Sequence, residues 1–138
     1  MYASETWRPS ERIESKLRAF EGRCLRRILK IRWEDRITNK EVATLTGIDC
    51  IIAEIKQRRW RWLGHVMRMD DNRHPKIALT WTPQGERTQA RPRSTWRRTI
   101  YGERQDLKLS WSELRGLAQD RNGWRKFVSA LCFRQGVG

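Results

Sequence analysis

From Ser10 onward, apolar residues fall at Ile13, Leu17, Phe20, Cys24, Ile28 and Ile31. Steps of three and four place them on one side of an α-helix, and such a stripe must meet other apolar surface. Ser10, following Pro9, suits the cap of this helix. Arg23, Arg26 and Lys30 fall together on its opposite side, which makes the back of the helix basic. Alternation of the kind that marks β-strands is almost absent from the chain, and no repeat at a fixed period is visible. The expected fold is therefore all-α, with four to five helices in a small, partly open bundle.

The other helices follow from the same signals. Thr38-Asn39-Lys40-Glu41 reads as a capping box that opens a short helix closed by Gly47 and able to bury Val42 and Leu45. A third helix is expected from about Ile51 to Met69, with Ile52, Ile55, Trp62, Leu63 and Val66 on one side and Arg58, Arg61, His65 and Arg68 on the other. Arg59 falls among the apolar residues, so it either pairs with a carboxylate or marks a docking face. Asp70-Asp71-Asn72-Arg73-His74-Pro75 reads as a break, and Lys76 to Trp81 as a short strand or a helical turn. The stretch from Thr82 to Thr95 has no apolar period and is expected to be a flexible basic loop. Beyond it, Trp96, Ile100 and Leu107 indicate a fourth helix starting from Ser94. Ser110-Trp111-Ser112-Glu113 opens a last one carrying Trp111, Leu114, Leu117, Ala118, Trp124, Phe127, Val128 and Leu131. The expected division is a helical segment at 1–47, a basic helix and connector at 48–81, and the basic loop with a C-terminal helical subdomain at 82–138.

Charge narrows the function. Thirty Lys and Arg stand against 16 Asp and Glu in 138 residues, a net charge of +14, and 23 of the basic residues are Arg. Guanidinium groups grip phosphate with paired hydrogen bonds and stack on bases, so this bias favours nucleic acid. Eight tryptophans supply either core mass or stacking surfaces. Lys56-Gln57-Arg58-Arg59-Trp60-Arg61-Trp62 concentrates rings and guanidiniums in under two helical turns, with Arg58, Arg61, His65 and Arg68 as phosphate contacts and Trp60 as the exposed stacker. Arg91-Pro92-Arg93 holds two guanidiniums on a stiff backbone able to follow a groove, and Arg97 and Arg98 extend it.

Other chemistries find little support. Cys24, Cys50 and Cys132 are widely spaced, so neither a disulfide framework nor a zinc knuckle is expected, and core packing is their ordinary role. Asp70-Asp71 resembles the paired aspartates of a polymerase metal turn but follows a basic helix instead of an apolar strand, so it reads as a helix-ending loop. No phosphate loop, dinucleotide turn or nucleophile with a partner is present. The expected protein is non-catalytic and without cofactor or metal. No apolar run reaches the roughly 18 residues a bilayer needs, and the first residues lack a signal-peptide core. An intracellular place, nuclear or cytoplasmic, with RNA and DNA as partners and no membrane, is the resulting expectation.

Five strings, in order, resemble one family: the C-terminal region of the endonuclease-reverse transcriptases of non-long-terminal-repeat (LINE-type) retrotransposons. They are Tyr2-Ala3-Ser4-Glu5-Thr6-Trp7; Leu17-Arg18-Ala19-Phe20-Glu21 with Cys24-Leu25-Arg26-Arg27-Ile28-Leu29; Trp33 to Val42; Arg59 to Met69; and Arg91 to Trp96. The resemblance spans nearly the whole chain. It implies that the first forty or so residues are similar to the end of a polymerase thumb and the rest to a basic helical extension, both handling template RNA and target DNA. It also implies that catalysis and its magnesium belong to a parent RNA-directed DNA polymerase, whose palm and fingers would be this chain's partners. Ala3 and Ala90 stand where that family usually has glycine. Two other readings compete: a basic module docking on an acidic protein, and a truncated element copy without function. The latter would expose Ile13, Leu17, Phe20 and Cys24.

Overall fold

The computed structural model describes residues 2–8, 10–81 and 95–133, with residues 132 and 133 described by their backbone alone. Among these residues the regular structure is entirely helical. Seven α-helices run in order: α1 (Glu11–Ile28), α2 (Asn39–Thr46), α3 (Ile51–Met67), α4 (His74–Thr80), α5 (Trp96–Asp106), α6 (Trp111–Gln119) and α7 (Arg121–Phe133), with 3₁₀ turns at Ser4–Thr6 and Trp33–Asp35.

The helix starts are set by short polar side chains. Ser10 Oγ accepts from the Ile13 N–H at 3.4 Å, and Thr95 Oγ1 accepts from Arg98 N–H at 3.3 Å. Two capping boxes close as their sequences require. Thr38 N–H donates to Glu41 Oε2 at 2.6 Å, and Ser110 N–H donates to Glu113 Oε2 at 2.6 Å. Bonds from Thr38 hold the Glu41 carboxyl below its ordinary pKa, and bonds from Ser110 do the same for Glu113. Gly47 closes α2 at φ +61°, the left-handed region.

Two segments refine the sequence expectation. The break expected over Asp70 to Pro75 is shorter, because α4 already starts at His74 with Pro75 in its first turn, where a missing N–H costs nothing, and of the strand or helical turn left open for Lys76 to Trp81 the structure has the helix. The single helix expected from Ser110 is two. Asp120 takes an extended backbone at its φ of −84° and ψ of 107°, and its carboxylate accepts from Asn122 and Gly123 N–H, both at 2.9 Å, so it ends α6 and caps α7.

The core gathers around α3. Trp60, Leu63 and Met67 pack with Ile100 of α5, Leu114 and Ala118 of α6, and Trp124, Val128 and Leu131 of α7. The Trp60 and Trp124 rings lie 6.1 Å apart, and Phe127 meets Trp60 edge-on at 5.8 Å. Gly64 makes this approach possible. With no Cβ there, the Trp124 indole lies directly on α3 and donates its Nε1–H to the Trp60 carbonyl at 3.0 Å. Arg59, 2% exposed, pairs with Glu103 of α5, whose other oxygen accepts from Trp60 Nε1 at 2.6 Å. Of the two roles the sequence left open for Arg59, the structure gives it the carboxylate.

The α1 stripe forms from Ile13 to Ile28, with Ile31 beyond the helix end, and is only partly covered: Leu17 and Cys24 are half-buried. Ile13 is 42% exposed, Phe20 59% and Ile28 73%, and none of the 18 helix residues is buried. Helix α1 meets α3 across a cavity lined by Ile13 and Leu17 on one side and Ile52 and Ile55 on the other, and polar bonds add to this contact. Glu21 Oε1 accepts from the Ile51 N–H at 2.8 Å, and the Arg26 guanidinium donates to Ile37 O at 2.7 Å and Asn39 Oδ1 at 2.9 Å. In α2, Val42 is buried while Leu45 is 64% exposed, so the short helix buries one of its two expected anchors.

Two substitutions test this packing. Gly64→Ala drives a methyl into the Trp124 indole and breaks its bond to Trp60, so it should destabilise the protein by about 2–3 kcal/mol in chemical denaturation. Ala3 holds φ 52° beside the Ser4–Thr6 turn, a region costly for a residue with a Cβ. Ala3→Gly should raise stability, by about 0.5–1 kcal/mol in the same assay after the added chain entropy is set against the relieved strain.

Candidate nucleic-acid interface

The outward side of α3 faces that of α7 across a groove of about 730 Å³. Arg61 and His65 of α3 and Arg68, which caps its C-terminal end, line it on one side, and Arg121, Trp124, Arg125 and Ser129 of α7 on the other. None of these lining residues is a carboxylate. Asp120, beside Arg121 in sequence, has its oxygens engaged by the first N–H groups of α7.

Arg68 is the most constrained of the four guanidiniums. Its Nη1 donates to the Ala118 carbonyl at 2.8 Å, which ties the end of α3 to the end of α6. Its Nε is buried without a hydrogen-bond partner. Burial first, and then the like charge of Arg121, hold this guanidinium below the ordinary arginine pKa. Arg61 donates to Gln57 Oε1 at 2.9 Å, a neutral partner that leaves its charge uncompensated. The groove is thus a place where positive charges converge and an anion would relieve them.

A second, shallower depression of about 390 Å³ adjoins the first along α3 and shares Arg61 and His65 with it. Glu5, Glu54, Arg58 and Trp62 complete its lining. Here charge is balanced: Arg58 Nε donates to Glu54 Oε1 at 2.7 Å, an i,i+4 pair within α3. The Trp62 ring lies 5.4 Å from the His65 imidazole at an interplanar angle of 44°.

The residues singled out from sequence therefore separate. Arg61, His65 and Arg68 come together in the groove, whereas Arg58 stands beside it in an ion pair. Trp60 is not an exposed stacker: its side chain is completely buried, because it turns toward α5 and α7 and gives its Nε1–H to Glu103. Arg26 spends its guanidinium on the α1–α2 connection, and Arg23 is exposed on α1, but Lys30 lies beyond the end of that helix, exposed at a φ of 55°, and does not continue its basic side. Arg97 donates to the Trp81 carbonyl at 2.6 Å, and Arg98 is exposed on the first turn of α5. Arg91 and Arg93 lie outside the described residues.

Arg121 and Arg125 escaped the sequence reading. Their signal was the i,i+4 spacing of two cations flanking Trp124 on a helix whose apolar face alone had been followed. Asp70-Asp71 behaves as the helix-ending loop expected. Both are exposed, and the Asp71 carboxylate meets Lys76 Nζ at 3.0 Å, which lowers its pKa. Cys24 is half-buried and Cys50 is exposed, both as free thiols, so core packing does not describe Cys50. Among the described residues no helix is long and apolar enough to cross a membrane. Compared with known protein families, curated proteins and solved structures, the chain matches none.

Proposed function

We propose that this chain binds nucleic acid through the α3–α7 groove and contributes no chemistry of its own. The supporting observation is the convergence of Arg61, Arg68, Arg121 and Arg125 with His65, free of lining carboxylates. Backbone phosphates are the anions that suit such a row: each neutralised charge releases counterions held by the polymer, which adds binding free energy without requiring a sequence. The family resemblance of the sequence strings supports the same reading and supplies its setting, a segment of a retrotransposon reverse transcriptase that holds template RNA or target DNA. In that setting magnesium serves the parent polymerase.

The exposed stripe of α1 favours a protein contact as well. Ile13, Phe20 and Ile28 present apolar surface on the helix that the resemblance likens to a thumb, and a thumb meets the rest of its polymerase. This contact accompanies nucleic-acid binding and does not replace it.

The test is binding to a labelled oligonucleotide across a salt series. Arg61, Arg121 and Arg125 are exposed, so changing all three to Ala spares the core and the Arg68 bond to Ala118. Unaltered protein should lose affinity for a single strand about 50-fold between roughly 50 and 200 mM salt if four phosphates are neutralised, and the triple variant should flatten the slope of log K against log salt by about 2. Binding indifferent to salt, or a triple variant with an unchanged slope, would refute the assignment. The loss should be similar for unrelated sequences, because phosphate contacts position without specifying.

A further inference from the structure

The two adjoining depressions on α3 differ in charge, and that difference carries a statement about the form of nucleic acid bound. Resting on the proposed function above, we infer that the shallower depression receives the face of an unstacked base on the Trp62–His65 ring pair, so that the site prefers single-stranded nucleic acid over duplex.

The α3–α7 groove concentrates uncompensated cations and suits phosphate. Its neighbour contains Glu5 and the Glu54–Arg58 pair, which would repel or dilute the hold on a second phosphate but suits a neutral, planar, hydrogen-bonding group. Arg61 and His65 belong to both depressions, so a strand whose phosphate lies in the groove has its adjoining base directly over them. His65 is exposed, and Trp62 is half-buried. On its inner side Trp62 lines an apolar crevice with Thr6, Val66, Leu79 and Trp96, which anchors the indole and leaves its pairing with His65 fixed in advance. Trp33 and Trp81 are more exposed, at 85% and 60%, but neither lines either depression.

The geometry discriminates because of how duplexes are built. In a duplex the base faces are covered by their neighbours, and a protein meets only base edges in the grooves. A ring on a helix surface beside phosphate-binding guanidiniums reaches a base face only where the base has left the stack. A nucleotide without such a partner loses little by binding elsewhere, whereas an unpaired base gains a ring beneath it.

Fluorescence anisotropy with a labelled single strand of about 12 nucleotides and a hairpin duplex of equal phosphate count separates the possibilities. The single strand should bind about 5- to 10-fold tighter than the hairpin at matched salt. His65→Lys keeps a cation and removes the ring, and it should erase most of that preference; His65→Phe keeps a ring without a charge, and it should preserve it. Circular dichroism establishes that each variant is folded, which the exposure of His65 leads one to expect. Equal affinity for both probes overturns the inference alone and leaves phosphate binding standing, as does a preference retained in His65→Lys. Failure to bind either probe at low salt overturns the proposed function and the inference together.

Discussion

Glu103 holds the structure to one arrangement. Its two carboxylate oxygens take the guanidinium of Arg59 and the indole N–H of Trp60, successive residues of α3 that are both withdrawn from solvent. A buried guanidinium alone is strongly unfavourable, and loss of its partner leaves an uncompensated charge in the interior, so α5 cannot leave α3 without exposing or stranding Arg59. The Trp60 carbonyl in turn accepts from Trp124 of α7. One residue of α3 thereby fixes the helices on either side. The groove inherits its shape from this: Trp124 lines it, and Arg121 and Arg125 stand one turn apart around Trp124, so the spacing of the cations across the groove follows from the seating of a single indole.

The helices were legible in the sequence wherever a side chain satisfies a backbone group close by. Ser10, Thr38 with Glu41, and Ser110 with Glu113 cap the helices that their spacing announced, and Gly47 ends α2 in the expected left-handed turn. Asp120 was missed because its carboxylate acts within a continuous apolar period; Leu114, Ala118, Trp124 and Val128 keep in phase across the break, so the pattern does not betray it. The position of Trp60 was missed for a related reason. Trp60 and Trp62 lie about 200° apart on a helical wheel, and each had apolar neighbours to join. Long-range partners decided the matter: Glu103 accepts from the Trp60 indole and Trp124 donates to the Trp60 carbonyl, and no local rule locates residues some forty and sixty positions away.

The same limit applies to charge. A count of arginines is silent on which of them the fold consumes. Arg59 is consumed by Glu103, Arg26 by the α1–α2 connection and Arg97 by the Trp81 carbonyl, while Arg58 shares its charge with Glu54. Arg61, Arg121 and Arg125 form no ion pair with a carboxylate lining the groove, and Arg68 has only a backbone carbonyl against it. Half of the groove was readable from the helical wheel of α3. The other half required knowing that α7 returns alongside α3, which depends on Gly64 lacking a Cβ and is invisible in any period of apolar residues.

Bringing those cations together works against stability, and this opposition connects the fold to the proposed function. The Arg68 guanidinium is shifted toward losing its proton by burial and by Arg121, the signature of a charge held where it is electrostatically disfavoured. The hydrogen bond from Nη1 of Arg68 to the Ala118 carbonyl offsets part of this cost. An anion in the groove removes the repulsion between Arg68 and Arg121 and offers a partner to donors facing the groove, so ligand binding and folding draw on the same interaction. A groove arranged only for stability would place a carboxylate between α3 and α7, as the fold does between α3 and α5 with Glu103. The contrast between those two sides of one helix, neutralised by Glu103 toward α5 and left positive toward α7, is the physical support for the proposal that the groove takes a polyanion.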